Sequence, residues 1–360
     1  MVSCDDIGHE PRRNPHRAIL RIGIAGRVAR IALVHDVAGV AKVQAQTLRA
    51  AGHEVDEIAL SELGASWKWP MKGLAIPLRL AAYMPVIRKL RRNHYDIVHI
   101  HWLSHGIVGL PLGRPFFAQA HGSDLHLNMR RPVLRLVTRA VLKRAKTVFY
   151  VTPDLRPFAA EFHDKLIYLP NPVQVNEVSP PPPRRLTRAL IFTMLHTRKG
   201  VERIFPAAER LSKLLELTAL DYGPLAREYA QRYGRVVRFV GQVPHDEIGP
   251  FLEQFDIVIG QMRQGILGLA ELEAMAAGRP VITGINLANY PVDPPPVIAA
   301  STPEEIVSAV EELRENEAEL LRLSRAGRDW VRRNHGFARN LRELEEAYFG
   351  SSRPSESNKA

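Results

Sequence analysis

Residues Asp256–Thr283 read DIVIGQMRQGILGLAELEAMAAGRPVIT, and they concentrate the chemistry of the chain. An apolar strand, Asp256–Gly260, runs into a loop that holds Gly265 and Gly268. A helix then starts near Leu269 and stops at Gly278, where Arg279-Pro280 bars its continuation. Glycines ahead of a helix let backbone N–H groups approach an anion, and the helix dipole favours negative charge at that end. Glu271 and Glu273 suit the same dipole, which is a purely structural use. Glu273, however, sits among Leu272, Ala274 and Met275 in a nearly apolar helix. A carboxylate so placed needs a polar partner, and a ribose diol is a natural one. The segment therefore reads as a place for a phosphate-bearing, ribose-bearing ligand.

Such a site needs strands to carry it, and the pattern along the chain supplies two sets. In the first half the strand candidates are Arg30–Val34, Glu54–Leu60, Asp96–Trp102, Pro115–His121, Thr147–Thr152 and Leu166–Leu169. Helical stretches such as Val40–Ala51 and Pro132–Arg144 intervene. Ser179 and four consecutive prolines then form a stiff linker. The alternation restarts with Ala189–Met194, Glu216–Ala219, Val236–Val240, Asp256–Gly260, Pro280–Thr283 and Val297–Ala299. The chain closes with a helical region, Pro303–Phe349, broken near His335-Gly336. Strands alternating with helices imply βαβ units and parallel sheets. The expected fold is α/β, with two doubly wound Rossmann-like domains facing across a cleft and ligands at the carboxyl ends of the strands. The expected boundaries are 18–178 for the first domain, 179–185 for the linker and 186–335 for the second domain. A C-terminal helix, 336–350, is expected to pack back on the first domain. Residues 1–17 and 351–360 read as disordered.

Composition narrows the function classes. The 360 residues are 46% hydrophobic and 24% charged, an ordinary globular balance. Cys4 is the single cysteine, so no intrachain disulfide can form, and no Cys/His cluster has zinc spacing. No apolar run reaches the ~18 residues of a spanning helix, and the N-terminus lacks an apolar signal core. These features point to a cytoplasmic protein. Charge is lopsided: residues 1–180 hold 25 Lys+Arg against 14 Asp+Glu, whereas residues 181–360 hold 24 of each. One basic stretch runs through Lys68, Lys72, Arg79, Arg88, Lys89, Arg91 and Arg92, among Trp67, Trp69, Leu74, Ile76, Leu78 and Leu80. The other is Arg130, Arg131, Arg135, Arg139, Lys143, Arg144 and Lys146. Cations beside aromatics and aliphatics suit an anionic membrane interface at the inner face of a membrane, and they equally suit a solvated helix packed on a core. No nucleic-acid-binding module is visible, so nucleic acid is not expected as a partner.

Leu272-Glu-Ala-Met-Ala-Ala-Gly-Arg-Pro-Val281 resembles the donor-site signature of the retaining group 1 glycosyltransferases, which have the two-Rossmann GT-B fold. Other pieces fall in matching order: Asp96–His101, Ala120-His-Gly-Ser-Asp124, Leu169–Val173, Arg198-Lys-Gly-Val201 and Val243–Glu247. The resemblance implies that Glu273 accepts hydrogen bonds from the donor ribose and that Lys199 neutralises the diphosphate leaving group. It places His121 near the reacting carbon, and it gives Gly268 and Leu269 backbone N–H groups to offer to the diphosphate or sugar. Asp124 would orient the His121 loop, or else simply cap the helix that follows. Gly39 would let a first-domain loop approach the acceptor or donor phosphate, or else be a plain turn glycine.

Two positions depart from the resembled pattern. Gly265 stands where the family usually has a second glutamate, and Met194 where many members have an arginine. Glu271, Gln261 or Gln264 could replace the acid, and Arg198 or Arg263 the base; Gln261 and Gly265 match a Gln-x-x-x-Gly variant of the family. The implied reaction moves a sugar from a nucleoside-diphosphate sugar, UDP- or GDP-linked, to an acceptor hydroxyl with retained configuration. It needs no metal and no cofactor beyond that co-substrate. The acceptor is unknown, with lipid-linked and anionic acceptors both open. The alternative is a catalytically degenerate member that holds a nucleotide or a membrane as a scaffold. A nucleotide-sugar epimerase fits the same architecture; a dinucleotide enzyme fits poorly, because no G-x-G-x-x-G follows the first strand.

Overall fold

The structure, a computed structural model, describes residues 28–63 and 71–350. The two termini read as disordered lie outside the described residues, as do Trp67, Lys68 and Trp69.

Among the described residues, twelve strands form two parallel sheets of six. The first comprises β1 (Arg30–Val34), β2 (Glu54–Ile58), β3 (Ile97–His101), β4 (Phe117–Ala120), β5 (Thr147–Tyr150) and β6 (Leu166–Tyr168), in the order β2-β1-β3-β4-β5-β6. The second comprises β7 (Arg188–Ile191), β8 (Glu216–Leu220), β9 (Arg238–Val240), β10 (Ile257–Ile259), β11 (Val281–Thr283) and β12 (Ile298–Ala299), in the order β12-β11-β10-β7-β8-β9. Each strand falls within or beside its expected segment. The longer helices are α1 (Val40–Ala50), α2 (Met71–Arg92), α3 (Pro132–Arg144), α4 (Ala226–Tyr233), α5 (Leu269–Ala276), α6 (Pro303–Glu315), α7 (Glu317–His335) and α8 (Phe337–Phe349).

Both faces of each sheet are buried, which is why the strands read as apolar runs rather than alternating ones. In β1, Ala32 and Val34 face a core shared with Tyr83 and Leu90 of α2 and with Val141 and Leu142 of α3. Ile31 and Leu33 face the opposite core, with Ala45 and Leu48 of α1. That second core is completed by Leu341, Leu344 and Tyr348 of α8. The last helix of the chain therefore seals the first sheet. Its Glu345 carboxylate lies 3.1 Å from His53 Nε2 in a buried pair.

The expected single break in Pro303–Phe349 is in fact two. Besides the break at Gly336, Asn316 leaves helical geometry and its side chain accepts a hydrogen bond from the Glu319 N–H at 2.9 Å. Asparagine favours a cap over a helix interior because its short amide competes for backbone groups.

The proline linker is fastened to the second domain. Arg279, only 4% exposed, donates to the carbonyls of Ala277, Phe255 and Pro181. Arg328 donates to the carbonyls of Ala276, Asn176 and Val178. Residues 176–181 are thus strapped to the second domain. The two passages between domains run side by side nearer the first: the Val173 N–H donates to the His335 carbonyl at 2.8 Å, and Asn340 donates to the Pro170 carbonyl at 3.1 Å.

Leu344 is fully buried in the first-domain core. Leu344→Ala is expected to destabilise that domain by about 2–5 kcal/mol. Denaturant unfolding followed on a first-domain probe should show the loss, while a second-domain probe shifts less.

Candidate active site

In a doubly wound sheet the loops part where strand order reverses, and a crevice opens there. The reversal lies between β1 and β3 in the first sheet and between β7 and β10 in the second. The loop after β7 carries Lys199, and the loop after β10 runs through Gly265 and Gly268 into α5, which carries Glu271 and Glu273. Those after β1 and β3 carry Gly39 and Trp102, and the loop after neighbouring β4 carries His121 and Asp124.

The second-domain loops are built around Glu271. Its side chain is buried, and its two oxygens accept hydrogen bonds from the Gln261 and Gly268 N–H groups, both at 2.8 Å. A Cβ on Gly260 would lie 2.4 Å from Glu271 Oε1, so only glycine fits beside the carboxylate. Gln261, itself fully buried, closes the remainder of the turn. Its amide donates to the carbonyls of Ile266 and Gly284, and its oxygen accepts from the N–H groups of Arg263 and Gln264. These contacts correct three expectations. Glu271 and Gln261 do not offer side chains to a donor, because their hydrogen-bonding groups are committed to the loop. The Gly268 N–H is likewise committed to Glu271, although the rest of the first turn of α5, beginning at Leu269, retains the unpaired N–H groups of a helix start. Gly265 adopts φ +71°, which favours glycine, and its carbonyl accepts from the Asn286 N–H and the Asn289 side chain, both at 3.0 Å. Among the described residues, the contacts at Gly265 come from Ile285, Asn286 and Asn289 and include no acidic side chain.

Glu273 points elsewhere. Its side chain is 16% exposed and lies 3.2 Å from Nε2 of His245, which is 77% exposed. The hydrogen bond to Glu273 leads in raising the His245 pKa above its ordinary value; desolvation and Lys42 of α1 oppose it, while Asp246 adds to it. Tyr222, its phenol pushed up by burial and then by Glu271 and Glu273, stands nearby. Lys199 donates to the Gln264 side chain at 2.7 Å, and its carbonyl accepts from the Met262 N–H. Burial lowers the Lys199 pKa, with Glu271 pulling the other way. Arg198 is exposed beside it, whereas Arg263 pairs with Glu202. The lysine is thus held against the loop that Glu271 shapes.

The first-domain side is a set of imidazoles. His121 Nε2 lies 3.1 Å from His101 Nδ1, His101 stacks on His99, and His99 Nδ1 lies 2.7 Å from the Tyr348 hydroxyl of α8. His35 and His105 sit 4.3 Å apart between ring centres, and the Tyr83 hydroxyl meets His105 at 3.0 Å. Burial is the first cause holding His121 and His105 down to about 3, so both are neutral and act as hydrogen-bonding groups, not as charges. Asp124 is fully buried and accepts from the N–H groups of Leu103, His121 and Gly122, all at 2.9 Å. It clamps the β3 and β4 loops together. It is not the helix cap, a position that Gly122 occupies. Gly39 has φ +78° and open space around it, so its backbone conformation is what requires glycine. The non-glycine residues of positive φ among the described residues, His35, Ala38 and Trp102, all lie at this switch point, where strained backbone typically accompanies function.

Sequence reasoning missed His245, Tyr222, His35, His105 and Tyr83. Val243–Glu247 matches the resembled family as a stretch, but nothing in it singles out His245. The position of His35 directly after β1 is the available signal for it; His105, inside the Leu103–Val108 turn, carries none.

Residues 37–177 match the family model described as Glycosyltransferase Family 4, and residues 198–346 match the one described as Glycosyl transferase-like. Among solved structures the chain is similar to a sucrose-phosphate synthase from Thermosynechococcus elongatus, with a TM-score of 0.71 at 17% identity over 89% of this chain and 98% of that one. It is similar to Anabaena HepE in complex with UDP and glucose, with a TM-score of 0.68 at 12% identity over 89% and 99%. A glycosyltransferase from Rickettsia africae gives a TM-score of 0.64 at 16% identity over 89% and 98%. No curated protein matches the chain in sequence.

The division of labour between the two glutamates is testable. Glu271→Ala would leave two loop amides without their acceptor and is expected to cost on the order of 3 kcal/mol. Glu273→Ala, whose side chain meets an exposed histidine, is expected to leave the melting temperature almost unchanged. Thermal unfolding of the two variants side by side checks this.

Proposed function

We propose that this chain, which belongs to the GT-B glycosyltransferases, moves a sugar from a nucleoside-diphosphate sugar to an acceptor hydroxyl with retention of anomeric configuration. The observation that carries this reading is the placement of Lys199, on the loop after β7 and bonded to Gln264, beside the helix α5 that starts at Leu269 and carries Glu273. Glu273 takes the ribose hydroxyls. Lys199, with Arg198 beside it and the first N–H groups of α5 from Leu269 onward, takes the diphosphate. The barrier is negative charge growing on the departing diphosphate while the sugar becomes cation-like, and fixed positive charge at the phosphates lowers it. His121, neutral and steadied by His101, donates or accepts a hydrogen bond at the sugar. The acceptor attacks on the face the diphosphate leaves, and a phosphate oxygen takes its proton, so no protein base is assigned. No metal or further cofactor enters the scheme. UDP leads the candidate nucleotides, since a protein of the same fold binds it.

Gly265 and Met194, in place of the usual charged pair, favour one second reading: a member that binds nucleotide without turnover. The discriminating experiment incubates the enzyme with UDP-, GDP-, ADP- and dTDP-glucose in the presence of EDTA, follows nucleotide release, and assigns product configuration by NMR. Release from one donor with an axial product is expected. Binding without release, or an inverted product, overturns the reading.

The His245–Glu273 pair adds a pH dependence. A raised pKa means that the paired state favours imidazolium, so the pair is fully formed below 6.5 and loosens as pH rises through the raised value. Ribose and imidazolium compete for one carboxylate. Nucleotide affinity of the wild type is therefore expected to rise several-fold from pH 6 to pH 8, and that of His245→Gln to stay flat. Calorimetric titration at the two pH values checks it.

A further inference from the structure

The first domain has one surface that the transfer scheme does not use. Helices α2 and α3 and the Leu103–Leu112 segment between them cover one face of the first sheet, and their inner sides share one core. Their outer sides are unlike a solvated surface. On α2, Ile76, Pro77, Leu78, Leu80, Ala81, Ala82, Met84 and Pro85 are all exposed, Ile76 and Leu78 by 50% and 56%. Arg79, the one charge among them, folds away to donate to the Leu63 carbonyl. The last turns of the same helix then expose Arg88, Lys89, Arg91 and Arg92, and the helix contains no acidic residue. α3 repeats the arrangement: Val133 and Leu136, 72% and 70% exposed, are flanked by Arg131, Arg135 and Lys143.

Single exposed aliphatics are ordinary, but a run of them bordered by cations on two neighbouring helices is not. Among the described residues, none of the exposed apolar side chains of α2 and α3 is aromatic; they give bases nothing to stack on, which argues against a nucleic-acid surface there. It matches what a bilayer offers, acyl chains behind an anionic headgroup layer. Position adds to this. A crossover helix runs antiparallel to its strands, so the apolar N-terminal ends of α2 and α3 lie at the carboxyl edge of the sheet. His35, His105 and His121 lie at that same edge.

We infer that the outer face of α2 and the N-terminal half of α3 dock on an anionic membrane surface, with the apolar helix ends entering the headgroup layer and the Arg/Lys ends resting on it. The site would then meet an acceptor anchored in that membrane. This last step rests on the glycosyltransferase reading; the docking surface does not.

The test is flotation of the full chain with vesicles of phosphatidylcholine alone or with 30% phosphatidylglycerol. Binding at least tenfold tighter to the anionic vesicles is expected. Ile76→Gln/Leu78→Gln/Leu136→Gln should lose at least tenfold, with an unchanged melting temperature, because all three side chains are exposed. Arg88→Gln/Arg92→Gln should lose the preference for anionic lipid. Nucleotide titration of the same variants separates the two claims, since none of these residues belongs to the donor site. Absence of vesicle binding, equal binding to both vesicles, full binding by the triple variant, or binding to single-stranded DNA in place of vesicles would each overturn the inference.

Discussion

The switch-point loop of the second domain hangs on one buried carboxylate. Glu271 bridges the N–H groups of Gln261, just after β10, and Gly268, just before α5. In water such a carboxylate gains little from two amides. In the interior, the cost of stripping its hydration is offset only if both oxygens are satisfied. That requirement fixes much else. Gly260 must lack a side chain because the carboxylate occupies the space. Gln261 must turn inward and satisfy four backbone groups. Met262 then reaches the Lys199 carbonyl, so the lysine loop after β7 is seated by the same turn. Glu273, one helical position beyond the buried Leu272, is left facing outward.

The first domain obeys a parallel constraint through Asp124. Here one carboxylate holds three amides from two loops, and burial lifts its pKa to about 6 against the lowering effect of those amides. It sets the backbone on which His121 stands, while the stacked His101 and His99 set the ring. The stack ends on Tyr348 of the last helix, so the C-terminus of the chain supports a histidine in the first domain. Two arginines, Arg279 and Arg328, strap the proline segment to the second domain through carbonyl oxygens alone. The passages between domains are thereby confined to residues near Pro170–Val173 and His335–Gly336.

Much of this was legible in the sequence. Twelve strands could be placed because parallel strands buried on both faces leave unbroken apolar runs bounded by glycine, proline and polar turns. The donor segment could be placed because glycines, a helix start and an isolated Glu273 occur together. What misled was the assignment of roles within that segment. Glu271 and Gln261 have the residue types of ligand contacts, and sequence cannot distinguish a side chain that touches a ligand from one that folds the loop beneath it. His245, Tyr222 and Tyr83 stand on elements distant in sequence from the residues they face, and no local spacing marks such partners. The attachment of the proline linker was hidden for the same reason: its stiffness is local, but its attachment comes from Arg279 and Arg328, about 100 and 150 residues further along the chain.

The central claim is that Glu271 builds the donor loop and Glu273 uses it. Isothermal titration of UDP, GDP, ADP and dTDP into the wild type and Glu273→Ala at pH 8 tests this most directly. Tight binding of one nucleotide by the wild type and its loss in the variant are expected, with both proteins equally folded. Undiminished binding by Glu273→Ala, or no nucleotide bound by the wild type, would contradict it.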